Sequence, residues 1–258
     1  MVHTVQHQNS ETEDNMTNEH LSKIANFYNT ESNNYDTGYS AIVCKAEDII
    51  VSEIIQPYLT GNVLDIGAGS GLLCEIATVD NYYGIELSLG MTSLAKSKFP
   101  ENNFSVADMH KLPFPDNFFD NIVSLYGPVS YSLSPSELIS EIKRVLKPGG
   151  HVALMPYTLR VKHGLEIGGY STATEKDIEK KFYTELTAKK LLADFVQAKV
   201  QGINFFLNTE IRFSEELQNG DQWTVESMVE FLKMENYFQD KLKPEMARHM
   251  IITAQKPK

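Results

Sequence analysis

The sequence predicts an α/β fold built around a doubly wound, largely parallel β-sheet. Between positions 41 and 155, five short apolar runs alternate with four segments of helical periodicity, as in a chain of strand–helix crossovers. The run at 62–66 also leads directly into a glycine-rich turn and a further helical segment. These two observations favour crossovers of the right-handed type, which place helices on both faces of the sheet.

The elements follow in chain order. Isoleucines at helical spacing predict a first helix at 41–59, and Pro57 marks its end. The remaining predicted elements are helices at 70–78, 88–98 and 135–146 and strands at 62–66, 82–86, 103–106, 118–125 and 151–155. Lys147-Pro-Gly-Gly150 is expected to stop the fourth helix, because glycine caps helices and proline cannot extend them.

Beyond position 155 the pattern is looser. We expect a helix at 187–198 with Thr187 as its N-cap, and two further strands at 200–207 and 250–254. The segments at about 157–185 and 208–245 exceed ordinary connections and are expected to be lids or substrate walls. The second contains an apolar stripe at 224–238, expected to be a helix that packs on the core.

Composition bounds the domain organisation and the class of partner. Residues 1–20 are polar and are expected to be a loose tail, followed by a single domain at 21–258. The net charge of −11 (23 Lys+Arg against 34 Asp+Glu) disfavours nucleic acids and anionic membranes as partners. Two widely spaced cysteines indicate neither a disulfide framework nor a metal site. With no signal peptide and no apolar run of membrane-spanning length, a soluble cytoplasmic protein is expected.

The most informative segment is Val63-Leu-Asp-Ile-Gly-Ala-Gly-Ser-Gly71. Its glycines permit a tight turn and a close approach of the backbone to a ligand, and a helix from near Ser70 would point its N–H groups there. A dinucleotide fingerprint would have glycine at position 72, where this chain has Leu72. The spacing therefore disfavours NAD or FAD, and no P-loop motif is present.

Two carboxylates follow the next strands. Glu86 closes the strand at 82–86, where an acidic side chain accepts hydrogen bonds from ribose hydroxyls in sheets of this type. Asp108 follows the strand at 103–106, although it could also be an ordinary turn residue. Together with the glycine turn, these groups predict a site for an adenosine-like ligand without bridging phosphates.

At these residues the chain resembles the class I S-adenosylmethionine-dependent methyltransferases, in particular the small-molecule branch called methyltransferase domain 11. The resemblance covers roughly residues 27–157. It is carried by the glycine segment above and by Gly84-Ile-Glu-Leu-Ser88, Ala107-Asp-Met-His-Lys-Leu-Pro-Phe114, Phe118-Phe-Asp-Asn-Ile-Val123 and Arg144-Val-Leu-Lys-Pro-Gly-Gly150. It implies a Rossmann-like sheet of seven strands, the last antiparallel, with helices on both faces and lid insertions.

The resemblance also implies roles for individual residues. Glu86 would bind the ribose, Asp108 the adenine amino group, and Tyr28 or Tyr35 the methionine carboxylate. The methionine moiety would be held by Asp65, Gly67, Ala68, Gly69 and Gly71. The adenine ring would lie against Leu87 and Met109, with Met91 covering a face and Leu125 bordering the transferable methyl.

The implied function is transfer of a methyl group to the N, O or C atom of a small organic acceptor, with S-adenosylmethionine as cofactor, mainly by orientation and desolvation. Tyr126 and Tyr131 could orient the acceptor. His163 is a candidate base and His249 a weaker one, whereas His151, at a strand start, is expected to be structural and His110 a loop residue beside the adenine. A cofactor-binding scaffold or sensor without turnover remains an alternative, as does, less favourably, an NAD-dependent oxidoreductase. A monomer or homodimer is expected.

Overall fold

A seven-stranded mixed sheet forms the centre of the protein. The computed structural model describes residues 18–160, 177–206, 223–235 and 241–258. The strands are β1 (Asn62–Ile66), β2 (Asn81–Glu86), β3 (Asn103–Val106), β4 (Phe119–Ser124), β5 (Leu146–Leu154), β6 (Val196–Ile203) and β7 (His249–Gln255). Their spatial order is β3-β2-β1-β4-β5-β7-β6; β1 to β5 pair in parallel, whereas β7 is antiparallel to both β5 and β6. The predicted sheet and its antiparallel last strand are therefore confirmed.

Helices cover both faces of this sheet. They are α1 (18–31), α2 (Ile42–Ile55), α3 (Leu72–Ile76), α4 (Leu89–Lys98), α5 (Pro135–Val145), α6 (Glu185–Leu191) and α7 (Val225–Glu235). Because side chains alternate along a strand, Val63 and Leu64 of β1 enter different apolar clusters. One cluster includes Ile142 of α5, and the other includes Ile50 of α2 together with Leu232 of α7.

The region after β5 differs from the sequence-based prediction. The helix expected at 187–198 is α6, which begins after Thr184 and ends at Leu191. Thr184 is the N-cap in a capping box, and Thr187, the predicted cap, stands at the third helical position and returns the hydrogen bond. The helical pattern stops early because Val196 already pairs with Gln255 of β7. Tertiary pairing overrides local helix propensity here.

The Lys147-Pro-Gly-Gly150 stop also differs from its predicted form. Helix α5 ends at Val145, and the four residues lie inside β5, because Leu146 already pairs with Phe119 of β4. Gly149 has φ 81° and its N–H donates to the Lys256 carbonyl oxygen (3.0 Å). Gly149 therefore allows an irregular backbone conformation within β5, and the prediction that glycine caps the helix was wrong.

The boundary predicted for the polar tail was wrong by at least three residues. Residues 18–20 belong to α1, and His20 is buried, with Nε2 donating to the Tyr131 carbonyl oxygen (2.8 Å). In the second predicted lid, the part that is described as α7 packs on α2 within the core, as expected for its apolar stripe. His163 and Phe238 lie outside the described residues. In the described ranges, none of the helices has the length and apolar character needed to cross a bilayer.

Candidate active site

A cavity of about 560 Å³ lies at the carboxyl-terminal edge of the parallel strands. It begins at the switch point of the sheet, where β1 lies between β2 and β4 and the crossovers diverge to opposite sides. Its volume lies in the range of sites that enclose small molecules. Of the residues predicted to hold the cofactor, twelve line it: Tyr28, Tyr35, Asp65, Gly67, Ala68, Gly69, Glu86, Leu87, Met91, Asp108, Met109 and Leu125.

The glycine turn after β1 is tied to the end of β2. The N–H groups of Gly67 and Ala68 both donate to the Ile85 carbonyl oxygen (2.9 Å each), and the N–H of Gly69 donates to Glu86 Oε2 (3.1 Å). Helix α3 starts only at Leu72 and has five residues. The turn therefore shapes the cavity. The N–H groups of Gly67, Ala68 and Gly69 bond within the protein and are not the helix N–H groups that the sequence predicted to point at a ligand.

The three glycines of the turn serve different purposes. All have positive φ, but a Cβ on Gly67 would lie 2.3 Å from the Pro128 side chain, and one on Gly71 would lie 2.8 Å from Phe99. Gly71 is not among the residues that line the cavity, and its α-carbon faces Phe99; its contact with the cofactor stays a prediction. A Cβ on Gly69 would come no closer than 3.7 Å to its nearest neighbour, the Met91 methyl group, and would extend into the cavity.

Glu86 ends β2 at the floor of the cavity. Its two carboxylate oxygens accept the N–H of Gly69 (3.1 Å) and the N–H of Ser88 (2.9 Å). Burial raises the pKa of Glu86, and these backbone hydrogen bonds oppose the increase. The bonds fix the carboxylate at the strand end, where the resemblance places a ribose.

Asp65 lies deeper, near the end of β1. Its side chain is buried and accepts a hydrogen bond from the Tyr82 hydroxyl (3.0 Å). Burial raises the pKa of Asp65 to about 7, and the Tyr82 hydrogen bond only partly opposes this. A buried carboxylate of this kind favours a positively charged or hydrogen-bond-donating group beside it.

Asp108 follows β3 in a turn that also holds His110. Oδ1 of Asp108 accepts the His110 backbone N–H (2.9 Å) and contacts the ring Nδ1 (2.7 Å), while His110 Nε2 contacts Ser132 Oγ (2.7 Å). Burial raises the pKa of Asp108, but the His110 hydrogen bonds outweigh it and lower the pKa overall. Asp108 is thus a turn residue that also forms part of the cavity wall, and its bond to the adenine amino group stays a prediction.

The amino-terminal segment closes over the cavity from outside. Asn29 Oδ1 accepts hydrogen bonds from Ser88 Oγ (2.7 Å) and the Gly90 N–H (2.8 Å). Asp36 accepts one from Ser70 Oγ (2.6 Å) and forms an ion pair with Lys98 (2.8 Å). These contacts fasten the segment to the glycine turn and to α4.

Tyrosines line the amino-terminal segment that covers the cavity. The Tyr28 hydroxyl is 2.8 Å from that of Tyr131, which is 3.4 Å from the hydroxyl of Tyr157. The Tyr35 ring packs 6.1 Å from Tyr28. Burial raises the pKa of both Tyr28 and Tyr35, so these hydroxyls stay protonated as hydrogen-bond donors.

Two buried charged residues at the other end of the cavity, Glu47 and Arg248, were not predicted from the sequence. Glu47 of α2 accepts hydrogen bonds from Arg248 Nη1 (3.1 Å) and Asn204 Nδ2 (2.6 Å), and its Oε2 lies 3.4 Å from His249 Nε2. Burial alone would raise the pKa of Glu47, but Arg248 and His249 together lower it to about 2. Glu47, Arg248 and His249 all line the cavity.

Tyr126 joins this group from the end of β4. Its backbone has φ 57°, a left-handed conformation that is uncommon for a non-glycine residue and often marks a functional position. The hydroxyl donates to Asp48 Oδ1 (2.6 Å), and the ring packs edge-on against His249 at 5.0 Å. The sequence predicted Tyr126 and Tyr131 near the acceptor, and both line the cavity.

The chain is similar to known proteins over part of its length. Residues 64–154 match the methyltransferase domain family. A biotin biosynthesis bifunctional protein, BioHC, of Teredinibacter turnerae is 31% identical over 153 residues, which are 51% of this chain and 26% of that protein. A ubiquinone/menaquinone biosynthesis C-methyltransferase, UbiE, of Campylobacter jejuni is 33% identical over 105 residues, 41% of this chain and 44% of that protein. The chain thus spans about half or less of the length of these relatives.

Solved structures show the same fold. A methyltransferase in complex with the Haloferax volcanii Trm112 methyltransferase activator superposes with a TM-score of 0.61 at 20% identity, covering 90% of this chain and 98% of that one. A SAM-dependent methyltransferase from Thermotoga maritima gives a TM-score of 0.59 at 16% identity, covering 89% and 98%. Residues 64–154 of this chain therefore resemble the methyltransferase domain family, and the chain has the fold of the solved S-adenosylmethionine-dependent methyltransferases.

Proposed function

We propose that this protein transfers a methyl group from S-adenosylmethionine to a small organic acceptor. The observation that carries the proposal is that a single cavity joins two different ends. One end, at β1 to β3, has carboxylates at successive strand ends and an open space above Gly69. The other, at β4, β5 and β7, has Tyr126 and His249 in its wall. Cofactor and acceptor would meet between the two ends.

The residues at the first end fit an adenosyl amino acid. Glu86 would accept hydrogen bonds from the two ribose hydroxyls, and Asp108 would accept one from the adenine amino group. Leu87 and Met109 would contact the ring, and Asp65 would lie beside the charged methionine end. A pyrophosphate would meet these carboxylates with repulsion, and Leu72 stands where a dinucleotide motif has glycine. The cofactor end therefore favours S-adenosylmethionine over NAD.

The bound cofactor supplies a methyl group that is already electrophilic. This chain would contribute orientation and the exclusion of water, and orientation can account for about 7–11 kcal/mol of a barrier. Helix α1 and the tyrosines beside it would exclude water from the cavity, because their hydrogen bonds hold them against the β2–α4 region. A cytoplasmic location and a monomer or homodimer remain predictions from the sequence.

The acceptor class rests on the second end of the cavity. Aromatic side chains and the neutralised Glu47–Arg248 pair suit an uncharged organic molecule better than a phosphate backbone. The similarity to a quinone C-methyltransferase, over 41% of the chain, is in keeping with a small organic acceptor.

Calorimetry with S-adenosylmethionine, S-adenosylhomocysteine and NAD tests the cofactor. We expect binding of the first two and none of NAD; binding of NAD alone would overturn the proposal in favour of an oxidoreductase. Transfer of a labelled methyl group to a broad set of metabolites then tests turnover. Cofactor binding without transfer to any of them would favour the scaffold or sensor function.

A further inference from the structure

His249 lies at the ligand-binding edge of the sheet because β7 is antiparallel. The first residues of parallel strands lie at the opposite edge, but the first residue of an antiparallel strand lies beside the last residues of its neighbours. Leu154 near the end of β5 pairs with Ile252, and His249 itself forms an isolated bridge with Tyr157 beyond β5. The imidazole is thereby placed in the cavity wall next to Tyr126.

The surroundings of His249 prepare it to accept a proton. Glu47 on α2 places Oε2 3.4 Å from Nε2 of His249, and its Oε1 accepts hydrogen bonds from Arg248 and Asn204. Those partners hold the carboxylate in one position. At 3.4 Å the negative charge of this carboxylate stabilises the protonated form of the imidazole, as acidic neighbours of histidine general bases do.

The charged and titratable groups around the imidazole come from several elements. They are Glu47 on α2, Arg248 before β7, and the hydroxyl-bearing rings of Tyr126 after β4 and Tyr157 after β5. Asp48, next to Glu47, accepts the Tyr126 hydroxyl hydrogen bond. The pKa of Glu47 lies far below neutrality because Arg248 and His249 outweigh burial, so its negative charge is present at neutral pH.

We propose that His249 is the general base for an acceptor that carries an aromatic hydroxyl group. This assignment rests on the proposed methyl transfer and adds the acceptor class and the group that takes its proton. Three aromatic side chains, Tyr126, Tyr131 and Tyr157, form part of the cavity wall, where a flat acceptor ring would contact them. The Glu47–Arg248 pair is neutral overall and offers no net charge to an ionic acceptor.

The step balances without a further reactant. The hydroxyl O–H bond breaks and its proton passes to the His249 imidazole. The oxygen electron pair forms the new O–CH3 bond as the S–CH3 bond breaks and leaves its electron pair on sulfur. The products are a methyl ether, S-adenosylhomocysteine and an imidazolium that returns its proton to solvent.

The test compares His249→Gln with His151→Gln in the full chain. His151 is a matched control: it is also partly buried and packs beside an aromatic ring, Tyr58 at 5.4 Å, but it does not line the cavity. Calorimetry with S-adenosylhomocysteine is done first on all three proteins, and we expect equal affinities. If the wild type does not bind it, the proposed function itself fails. Loss of binding only in His249→Gln would place His249 in the cofactor site and overturn its role as a base.

Single-turnover transfer from labelled S-adenosylmethionine is then measured with 4-methoxyphenol and 4-nitrophenol, at a pH where only the latter is ionised. We expect His249→Gln to slow methylation of 4-methoxyphenol by about 10²–10⁴-fold, because it must lose a proton, and 4-nitrophenol far less. His151→Gln should match the wild type on both. Equal slowing on both phenols would overturn the assignment as base. So would transfer to neither phenol by a wild type that binds S-adenosylhomocysteine.

Discussion

The two ends of the cavity are built in different ways. At β1 to β3, the carboxylates Asp65, Glu86 and Asp108 each lie at or within two residues of a strand end, inside short local motifs. At β4 to β7, the site joins Glu47 of α2 with Arg248, which is 201 positions away in the chain. Local sequence therefore specifies the first end, whereas the second exists only after distant elements have packed.

The electrostatics of the two ends differ as well. Burial raises the pKa of Asp65 and of Glu86 at the first end. At the second end, Arg248 and His249 outweigh burial and lower the pKa of Glu47. The first end is thus less stable without a ligand that donates hydrogen bonds or carries positive charge. At the second end, Arg248 neutralises the Glu47 carboxylate within the protein, and this pair contributes to folding.

The largest expected effect tests this contribution to folding. Glu47→Ala would leave Arg248 buried, 5% exposed, without its carboxylate partner. Breaking one side of a buried ion pair costs about 3–5 kcal/mol of the free energy of unfolding, which urea denaturation would measure. Glu53→Ala, on the same helix, removes an exposed ion pair with Lys233 and should change little. Equal effects of the two substitutions would show that the Glu47–Arg248 pair has no special role.

The next effect concerns pH at the first end. The pKa of Asp65 is about 7 in the folded protein, above the ~3.9 of an unfolded chain, so folding favours its protonated form. Its contribution to stability is full below about pH 4 and is lost as pH rises through about 7. Asp65→Asn should therefore stabilise the ligand-free protein above neutral pH, by at most about 4 kcal/mol at ~1.4 kcal/mol per pKa unit.

Urea denaturation across this pH range is the measurement. The free energy of unfolding of the wild type should fall more steeply with pH than that of Asp65→Asn. Asp194→Asn, at an exposed position paired with Lys143, serves as the control and should follow the wild type. Parallel curves for wild type and Asp65→Asn would contradict the raised pKa.

A smaller effect is expected on cofactor affinity. Glu86→Ala should weaken S-adenosylmethionine binding by roughly 1.5–3 kcal/mol per hydrogen bond lost to its carboxylate. Calorimetry measures it, with Glu75→Ala as control, because Glu75 is an exposed carboxylate that pairs with Lys98 outside the cavity. An unchanged dissociation constant in Glu86→Ala would remove Glu86 from the cofactor site.

The smallest expected effect is a difference in stability between substitutions of two glycines in the turn after β1. Gly69→Ala places a methyl group in the cavity with little steric conflict, so it should lower stability by only about 1–2 kcal/mol through its left-handed φ and also weaken cofactor binding. Gly67→Ala has the same conformational cost and adds a clash with Pro128, so it should destabilise more. If Gly69→Ala bound S-adenosylmethionine as well as the wild type, the space above Gly69 would not be the cofactor position.

The sequence predicted the fold and the first end of the cavity well because both depend on local signals. Strand runs, the glycine turn and the carboxylates at strand ends are readable over a few residues. The close approach of Gly71 to Phe99 was not predictable, because sequence spacing does not reveal which side chain its α-carbon faces. Likewise, the cap of α6 was placed at Thr187 because two threonines three residues apart both suit a capping box.

The second end was predictable only in part. An antiparallel last strand was predicted, and this direction places its first residue, His249, at the ligand edge. The partners of His249 were not predictable, because no local pattern links Glu47 on α2 to Arg248. The apolar stripe of α7 was correctly expected to pack on the core, since helical periodicity is itself a local signal.

The reversed direction of β7 has a practical consequence for altering specificity. Residues at the second end of the cavity and those at the first end lie mostly on separate stretches of chain. Under the proposed function, libraries that vary the turn leading into the final strand would seek new acceptors without changing the residues proposed to bind the cofactor.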